Sequence, residues 1–173
     1  MVVGGTVSEW GALTDEAWRR RIRELGEVVA AAGAPWLTLR PFARGVAEGA
    51  TDGATDGARP VLQSVTPLEA CTVVVDPSPE GRERLVVALR KLADDDDLSE
   101  RAVAAALFAP AEVEPDLVVV LGAPDRLPPS LVWELAYSEL VYLDVAWDDL
   151  APEHLHDAVE AFTTRHRRFG GLD

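Results

Sequence analysis

Asp116-Leu117-Val118-Val119-Val120-Leu121 is the stretch that most clearly decides the fold, because it is the strongest strand pattern in the chain. An uninterrupted apolar run of this length is typical of a strand buried on both faces, as in a parallel sheet. The loop over 122–129 then lies at the carboxyl end of that strand. Ligands of open α/β sheets bind at this edge.

The segments after this strand predict three further elements. We expect a helix over 130–140, a strand over 141–145 and a last helix that begins at Pro152, since proline suits the first position of a helix. The last helix carries apolar residues at helical spacing, namely Leu155, Val159 and Phe162.

The segments before this strand also alternate between helix and strand. Thr14 can cap an amphipathic helix that ends near Gly33, and a strand over 36–40 follows directly. A second strand lies over 71–75.

Two more helices precede the central strand. One begins near Glu80, and the other runs over 102–108 with Ser99 as its cap. The first is expected to bury three leucines: Leu85, Leu89 and Leu92. The alternating order predicts an α/β fold with a mainly parallel central sheet flanked by helices.

The length and the repeats predict one domain with one flexible loop. The chain has 173 residues, which suits a single domain with its own core. Within 43–60 a Gly-Ala-Thr-Asp pattern repeats, and such small polar residues cannot bury apolar area. We therefore expect a flexible surface loop there and a domain over 1–173.

Charge and composition exclude several function classes. Sixteen basic and thirty acidic residues give a net charge of −14, so the surface repels phosphate backbones and nucleic acid is not expected as a ligand. No apolar run is long enough for a transmembrane segment. The single cysteine, Cys71, fits a reducing compartment, which predicts a cytoplasmic protein.

Four segments in the C-terminal part resemble a known family. They are 115–119 (Pro-Asp-Leu-Val-Val), 131–140 (Leu-Val-Trp-Glu-Leu-Ala-Tyr-Ser-Glu-Leu), 144–147 (Asp-Val-Ala-Trp) and 167–171 (Arg-Arg-Phe-Gly-Gly). In order and spacing they resemble the C-terminal third of the cis-prenyltransferases, the undecaprenyl and dehydrodolichyl diphosphate synthases. The resemblance implies a reduced form of that family's fold.

The chain departs from the active members of this family at two motifs. Their Asp-Gly-Asn-Gly-Arg loop, which handles magnesium and the allylic diphosphate, has no counterpart, and 2–5 (Val-Val-Gly-Gly) is at best a remnant of an erased first strand. Their Arg-x-x-x-Glu-x-Arg-x-Ser pattern corresponds to Val120, Pro124, Arg126 and Pro128. The helices that wall the family's product tunnel also lack room between 42 and 70.

These departures resemble the non-catalytic subunits of two-component cis-prenyltransferases, such as the Nogo-B receptor. The resemblance implies that the chain holds no catalytic residue, binds no metal or cofactor alone, and pairs with a catalytic subunit that holds magnesium. It also implies that Arg168, Phe169 and Gly170 bind the diphosphate of isopentenyl diphosphate in the partner's site. An alternative stays open for Arg165, Arg167 and Arg168: their positive charges are favourable at the C-terminus of a helix and need no ligand.

The same resemblance implies a set of interface residues and a weaker set of site residues. The expected interface residues are Trp133, Tyr137, Leu140, Tyr142 and Trp147. The weaker site candidates are Arg126, Glu139 and Asp144, with Glu139 at a position that the family links to the metal. Without the aspartate motif, we expect Glu139 and Asp144 to make helix-end polar contacts and interface hydrogen bonds instead. No metal cluster is expected from the histidines.

Three functions remain open from the sequence. The first is an accessory subunit of a heteromeric enzyme that condenses isopentenyl diphosphate with an allylic diphosphate in Z geometry. The second is a self-sufficient homodimeric prenyltransferase that uses Glu139, Asp144 and Arg126. The third is a protein-binding regulatory module without any part in prenyl transfer.

Overall fold

The computed structural model describes residues 1–42, 61–93, 97–111, 113–123 and 127–169, with the backbone alone for 166–169. Its sheet has six strands in the order β3-β4-β2-β1-β5-β6. The strands are β1 (Val2–Val3), β2 (Trp36–Arg40), β3 (Ser64–Pro67), β4 (Thr72–Val75), β5 (Leu117–Leu121) and β6 (Glu139–Leu143). Neighbouring strands are parallel except β3, which is antiparallel to β4. The prediction of a mainly parallel α/β sheet is confirmed.

Helices cover both faces of this sheet. In the described residues they are α1 (Val7–Ala12), α2 (Asp15–Ala31), α3 (Gly81–Lys91), α4 (Glu100–Phe108) and α5 (Pro152–Phe169). Helices α2 and α5 pack on one face, where most of the core lies, and α3 and α4 pack against each other on the opposite side. None of these described helices combines the length and the apolarity that crossing a membrane requires.

The shortest strand, β1, occupies the middle of the sheet. Val2 pairs with Leu39 on one side and Val119 on the other, and both residues of β1 are fully buried. The expectation that the first strand is erased is therefore wrong. Two residues are enough here because the longer strands on both sides supply the hydrogen-bonding partners.

Three tryptophans hold α1, α2 and the loop after β6 together. The ring of Trp10 lies 5.1 Å from the ring of Trp18 and 5.1 Å from that of Trp147, and the guanidinium of Arg21 lies 4.5 Å from the centre of the Trp147 ring. Trp147 is 2% exposed. It is therefore a core residue of this chain and not the surface residue that an interface requires.

The helix α2 follows the prediction closely, whereas α3 follows it only in its bounds. Thr14 caps α2 by accepting a hydrogen bond from the Ala17 amide at 3.2 Å. In α3, Leu89 is 43% exposed instead of buried. The residues of α3 that are buried are the small ones, Gly81 and Ala88. A Cβ at Gly81 would lie 2.5 Å from the Ser130 carbonyl oxygen, so this close approach needs glycine.

The prediction of a helix over 130–140 is wrong. The segment forms only a 3₁₀ turn over Glu134–Ala136, and β6 begins already at Glu139. Two contacts with the chain before β5 end the turn: the Ser138 hydroxyl lies 2.6 Å from the Pro115 carbonyl oxygen, and the Glu139 amide donates to the Asp116 carbonyl at 2.8 Å. Pairing with β5 therefore overrides the helical pattern.

Candidate functional site

A cavity of about 380 Å³ lies where β1, β5 and β6 end. Because these strands are parallel, their carboxyl ends share one edge of the sheet, which we call the carboxyl edge. The described lining residues are Gly5, Thr6, Glu9, Phe42, Leu121, Gly122, Ala123, Val145, Ala146 and Trp147. This is the edge at which the sequence predicts a ligand.

Glycines shape the turn from β1 to α1 at this edge. The Gly4 amide donates to the Arg40 carbonyl at 3.0 Å, and Gly5 then adopts a φ of +68°. A Cβ at Gly5 would lie 2.7 Å from Cγ of Trp147. Both the backbone angle and the close approach require glycine here.

The described lining of the carboxyl edge carries one charged side chain, Glu9, and no cation. Glu9 is already engaged, because its Oε2 accepts from the Thr6 amide at 2.6 Å while the Thr6 hydroxyl accepts from the Glu9 amide at 3.1 Å. This reciprocal pair caps α1. The lining therefore offers a diphosphate no cationic partner.

These residues also do not fit a magnesium ion. Magnesium in phosphoryl sites is held by one or two carboxylates together with substrate phosphates, and the Glu9 carboxylate is used in the cap. Within the described ranges, the group of three potential ligands is His156, Asp157 and Glu160, all exposed on α5. Exposed acidic groups are common without an ion.

A buried ion-pair network lies on the face of the sheet on which α3 and α4 pack. Arg40 is 2% exposed; its Nε lies 3.0 Å from Oδ2 of Asp76, and its Nη1 donates to Glu134. Arg84 reaches the same two acids, with Nε 3.1 Å from Oδ2 of Asp76 and Nη1 3.3 Å from Oε1 of Glu134. Two cations thus bracket two carboxylates.

Glu134 and Arg84 of this network stay charged near neutral pH. Burial raises the pKa of Glu134, but the charges of Arg40 and Arg84 outweigh burial and leave that pKa below its ordinary value. Burial, together with the charge of Arg40, lowers the pKa of Arg84 to about 10. The guanidiniums are therefore committed to these carboxylates. Arg40 is the last residue of β2 and Asp76 directly follows β4, but neither Arg40 nor Arg84 lines the cavity where β1, β5 and β6 end.

The remaining expected interface residues lie on or beside the edge strand β6. Tyr137 is 68% exposed, and its hydroxyl lies 3.1 Å from Oε1 of Glu100. Trp133, Leu140 and Tyr142 are half-buried. Beside them, Val132 and Leu135 are 40% and 42% exposed. We call Val132, Leu135 and Tyr137 the edge patch.

The weaker site candidates are not brought together. Glu139 is the first residue of β6 and pairs with Arg165, whose Nη1 lies 2.7 Å from its Oε1. Asp144 follows the other end of β6 and is exposed. Arg126 lies outside the described residues. Glu139 is thus at the amino ends of the strands, which we call the amino edge, and Asp144 is at the carboxyl edge.

The helix that leads to the expected diphosphate motif also ends at the amino edge. Phe162 and Thr163 of α5 line a cavity of about 210 Å³ together with Trp36 and Leu117, the first residues of β2 and β5. Residues 168 and 169 form the end of α5, without described side chains, and Gly170 lies outside the described residues.

Comparison with known proteins now decides the family. Residues 60–170 match the family described as "Putative undecaprenyl diphosphate synthase". The chain belongs to this family of cis-prenyltransferases. The predicted family is therefore confirmed, and the match includes β5, the edge patch and α5.

Catalytic enzymes are among the relatives of the chain. It is 31% identical over 100 residues to an isoprenyl transferase of Geobacillus kaustophilus, covering 53% of this chain and 39% of that protein. It is 32% identical over 100 residues to the ditrans,polycis-undecaprenyl-diphosphate synthase ((2E,6E)-farnesyl-diphosphate specific) of Micrococcus luteus, covering 53% and 40%. The matched part thus spans about two fifths of these relatives.

A solved structure also resembles the chain. It is that of a probable undecaprenyl diphosphate synthase from Campylobacter jejuni, with 18% identity and a TM-score of 0.49, and the similarity covers 97% of this chain and 81% of that one.

The buried network is the feature of the site region that sequence reasoning missed. Arg40 and Glu134 are 94 positions apart, and although Glu134 lies in the family segment over 131–140, nothing in that segment identifies Arg40 as its partner. The one local signal was an arginine at the end of an apolar strand, where a charge has to find a partner if it is buried.

Proposed function

We propose that this chain is a non-catalytic subunit of a two-chain cis-prenyltransferase. The complex condenses isopentenyl diphosphate with an allylic diphosphate and forms a Z double bond. The catalytic partner supplies the aspartate and the magnesium ion. This chain supports the partner's site and contributes Arg168, Phe169 and Gly170 to it.

The charge of the carboxyl edge is the observation that carries this proposal. A diphosphate needs cationic or amide donors, and each charge-assisted hydrogen bond contributes about 1.5–3 kcal/mol. The described lining offers one carboxylate, Glu9, that already caps a helix, while Arg40 and Arg84 are paired with Asp76 and Glu134 and do not line the cavity. Such an edge repels a diphosphate more than it binds one.

The edge patch supports a partner chain. It lies in the segment that leads into β6, the last strand of the sheet, whose outer side has no neighbouring strand among the described residues. Aromatic and aliphatic side chains next to an unpaired strand are typical of a surface that another chain covers. Tyr137 is also a residue type that is enriched at interface centres.

The course of α5 supports a contribution in trans. Helix α5 ends near Glu139 at the amino edge, whereas the carboxyl edge lies the length of β6 away, about 13 Å at 3.3 Å per residue. The motif over 168–170, which begins in the last turn of α5, therefore begins on the side opposite to this chain's own carboxyl edge. The motif is therefore better placed to bind a diphosphate in a partner's site than one at the carboxyl edge of its own chain.

Co-expression tests the proposal. The chain is produced with a catalytic cis-prenyltransferase subunit that carries the Asp-Gly-Asn-Gly-Arg motif, and incorporation of labelled isopentenyl diphosphate is measured. We expect the complex to be at least tenfold more active than either chain alone. Arg168→Ala is expected to lower this activity, whereas Arg19→Ala, an exposed arginine on α2, leaves it unchanged.

Two results would overturn the proposal. Turnover by the purified chain alone would make it a self-sufficient prenyltransferase. A partner that is equally active with and without this chain, at every magnesium concentration, would leave only a binding role.

A further inference from the structure

The ion pair between Glu139 and Arg165 joins the end of α5 to the sheet. The Glu139 amide donates to the Asp116 carbonyl at 2.8 Å, so its backbone is fixed beside β5. Its carboxylate lies 2.7 Å from Nη1 of Arg165. The side chain of Glu139 is 28% exposed and that of Arg165 is 59% exposed.

Other described side chains in this part of α5 do not make such a link. Thr163 and Thr164 are exposed, and both donate to the Glu160 carbonyl within the helix at 2.9 Å. After Phe162, the described side chain that contacts an acid on the sheet is therefore Arg165. Residue 168 follows Arg165 by three positions, which is less than one helical turn.

We propose that Glu139 is a positioning residue: through Arg165 it holds the last turns of α5 against the sheet and thereby orients the backbone of residues 168 and 169. This inference rests on the proposed function. It gives Glu139 a role in this chain that differs from that of a metal ligand, since its carboxylate faces a guanidinium at the amino edge.

Charge reversal in the complex with the catalytic subunit tests the role. Exposed ion pairs change an equilibrium by up to about fivefold. We therefore expect Glu139→Arg to raise the KM for isopentenyl diphosphate about two- to fivefold with kcat changed less than twofold. Arg165→Glu should act in the same way. The double variant Glu139→Arg/Arg165→Glu restores the pair and should return KM to the wild-type value.

A matched control and a magnesium titration complete the kinetic test. Glu153→Arg reverses an exposed acid at the other end of α5 and should leave KM unchanged. If Glu139 acted on the metal, Glu139→Arg would raise the half-saturating magnesium concentration and the double variant would not restore it. That result, or an unchanged KM in both single variants, overturns the inference.

Hydrogen exchange separates this inference from the proposed function. If the wild-type complex is no more active than the partner alone, the proposed function fails, but the anchor can still be measured in the full-length chain. We expect the amides of 165–169 to exchange faster in Glu139→Arg and to recover in the double variant. Exchange equal to that of the wild type in Glu139→Arg would overturn the anchor whatever the activity.

Discussion

Glu134 stands between two guanidiniums in a place where an isolated carboxylate could not stay charged. It is 2% exposed, and both Arg40 and Arg84 contact it. A buried ion pair contributes little net stability because desolvation offsets the attraction, yet removal of one partner leaves an unpaired buried charge. The network therefore makes the 3₁₀ turn over Glu134–Ala136 depend on the sheet beneath it.

Replacing this carboxylate measures that dependence. We expect Glu134→Gln to lower the free energy of unfolding by about 3–5 kcal/mol, because two positive charges then share the acid that remains, Asp76. Urea unfolding followed by tryptophan fluorescence measures the change. Glu153→Gln, at an exposed position, should change stability by less than about 0.5 kcal/mol. Equal effects of both variants would contradict the assignment.

The acid dependence of stability gives the same carboxylate a second test. Burial acts to raise the pKa of Glu134, but Arg40 and Arg84 leave it below the ordinary 4.5. A group with a lowered pKa in the folded state stabilises the fold above its unfolded pKa, and this contribution is lost as the pH falls through the folded pKa. Below about pH 4.5 the wild type should therefore lose stability more steeply than Glu134→Gln.

No local sequence pattern predicts the buried network of Arg40, Asp76, Arg84 and Glu134. A period of two or of 3.6 residues predicts which face of an element is buried, but it does not identify which distant charges meet. Asp76 follows an apolar strand and Arg84 lies in a helix, and both read as ordinary surface residues in the sequence. Only the fold brings them within 3.1 Å.

At the scale of elements, the turn between β1 and α1 is the most constrained. Gly5 and Gly33 both have positive φ, +68° and +79°, but a Cβ at Gly5 meets Trp147 whereas a Cβ at Gly33 meets open space. We expect Gly33→Ala to cost about 1–2 kcal/mol from the backbone angle alone. Gly5→Ala should cost about 1–3 kcal/mol more, because Trp147 must shift in a packed core.

Thermal or urea unfolding of the two alanine variants checks this ordering. Gly33→Ala serves as the control, because both variants carry the penalty of a positive φ and only Gly5→Ala adds a clash with Trp147. If Gly33→Ala proved the more destabilising of the two, the packing of Trp147 against the turn would be refuted.

Long elements could be predicted from the sequence, and short ones could not. The strand β2 and the helix α2 have enough residues to display a period, and their bounds were correct within a residue or two. β1 has two residues and α1 has six, which is too short for a period to appear. The prediction for 130–140 was wrong because the last two residues of its helical pattern, Glu139 and Leu140, pair with β5.

The candidate site divides in the same way. The family resemblance predicted Tyr137 of the edge patch and the motif over 168–170, because the segments that contain them are continuous in sequence, whereas Val132 and Leu135 were not among the expected interface residues. The absence of a cation from the described lining of this cavity depends on where Arg40 and Arg84 point, which is a property of the packed chain.

At the scale of the whole molecule, the two edges of the sheet differ in what they offer. The carboxyl edge has a cavity whose described lining contains no cation. At the amino edge lies the end of α5, where Arg165 pairs with Glu139. The edge patch flanks β6, which connects the two edges. A partner that covers β6 therefore lies next to both the amino edge and the carboxyl edge.

The edge patch leads to a prediction that a matched pair of leucines can decide. Leu135 beside β6 is 42% exposed, and Leu89 on α3 is 43% exposed, so arginine at either position should leave the chain folded. If the edge patch is the contact with the catalytic subunit, Leu135→Arg should weaken association at least tenfold, because a cation in an apolar contact loses its hydration. Leu89→Arg should change association less than twofold. Analytical ultracentrifugation of the mixed chains measures both dissociation constants, and equal weakening by the two variants would move the interface away from β6.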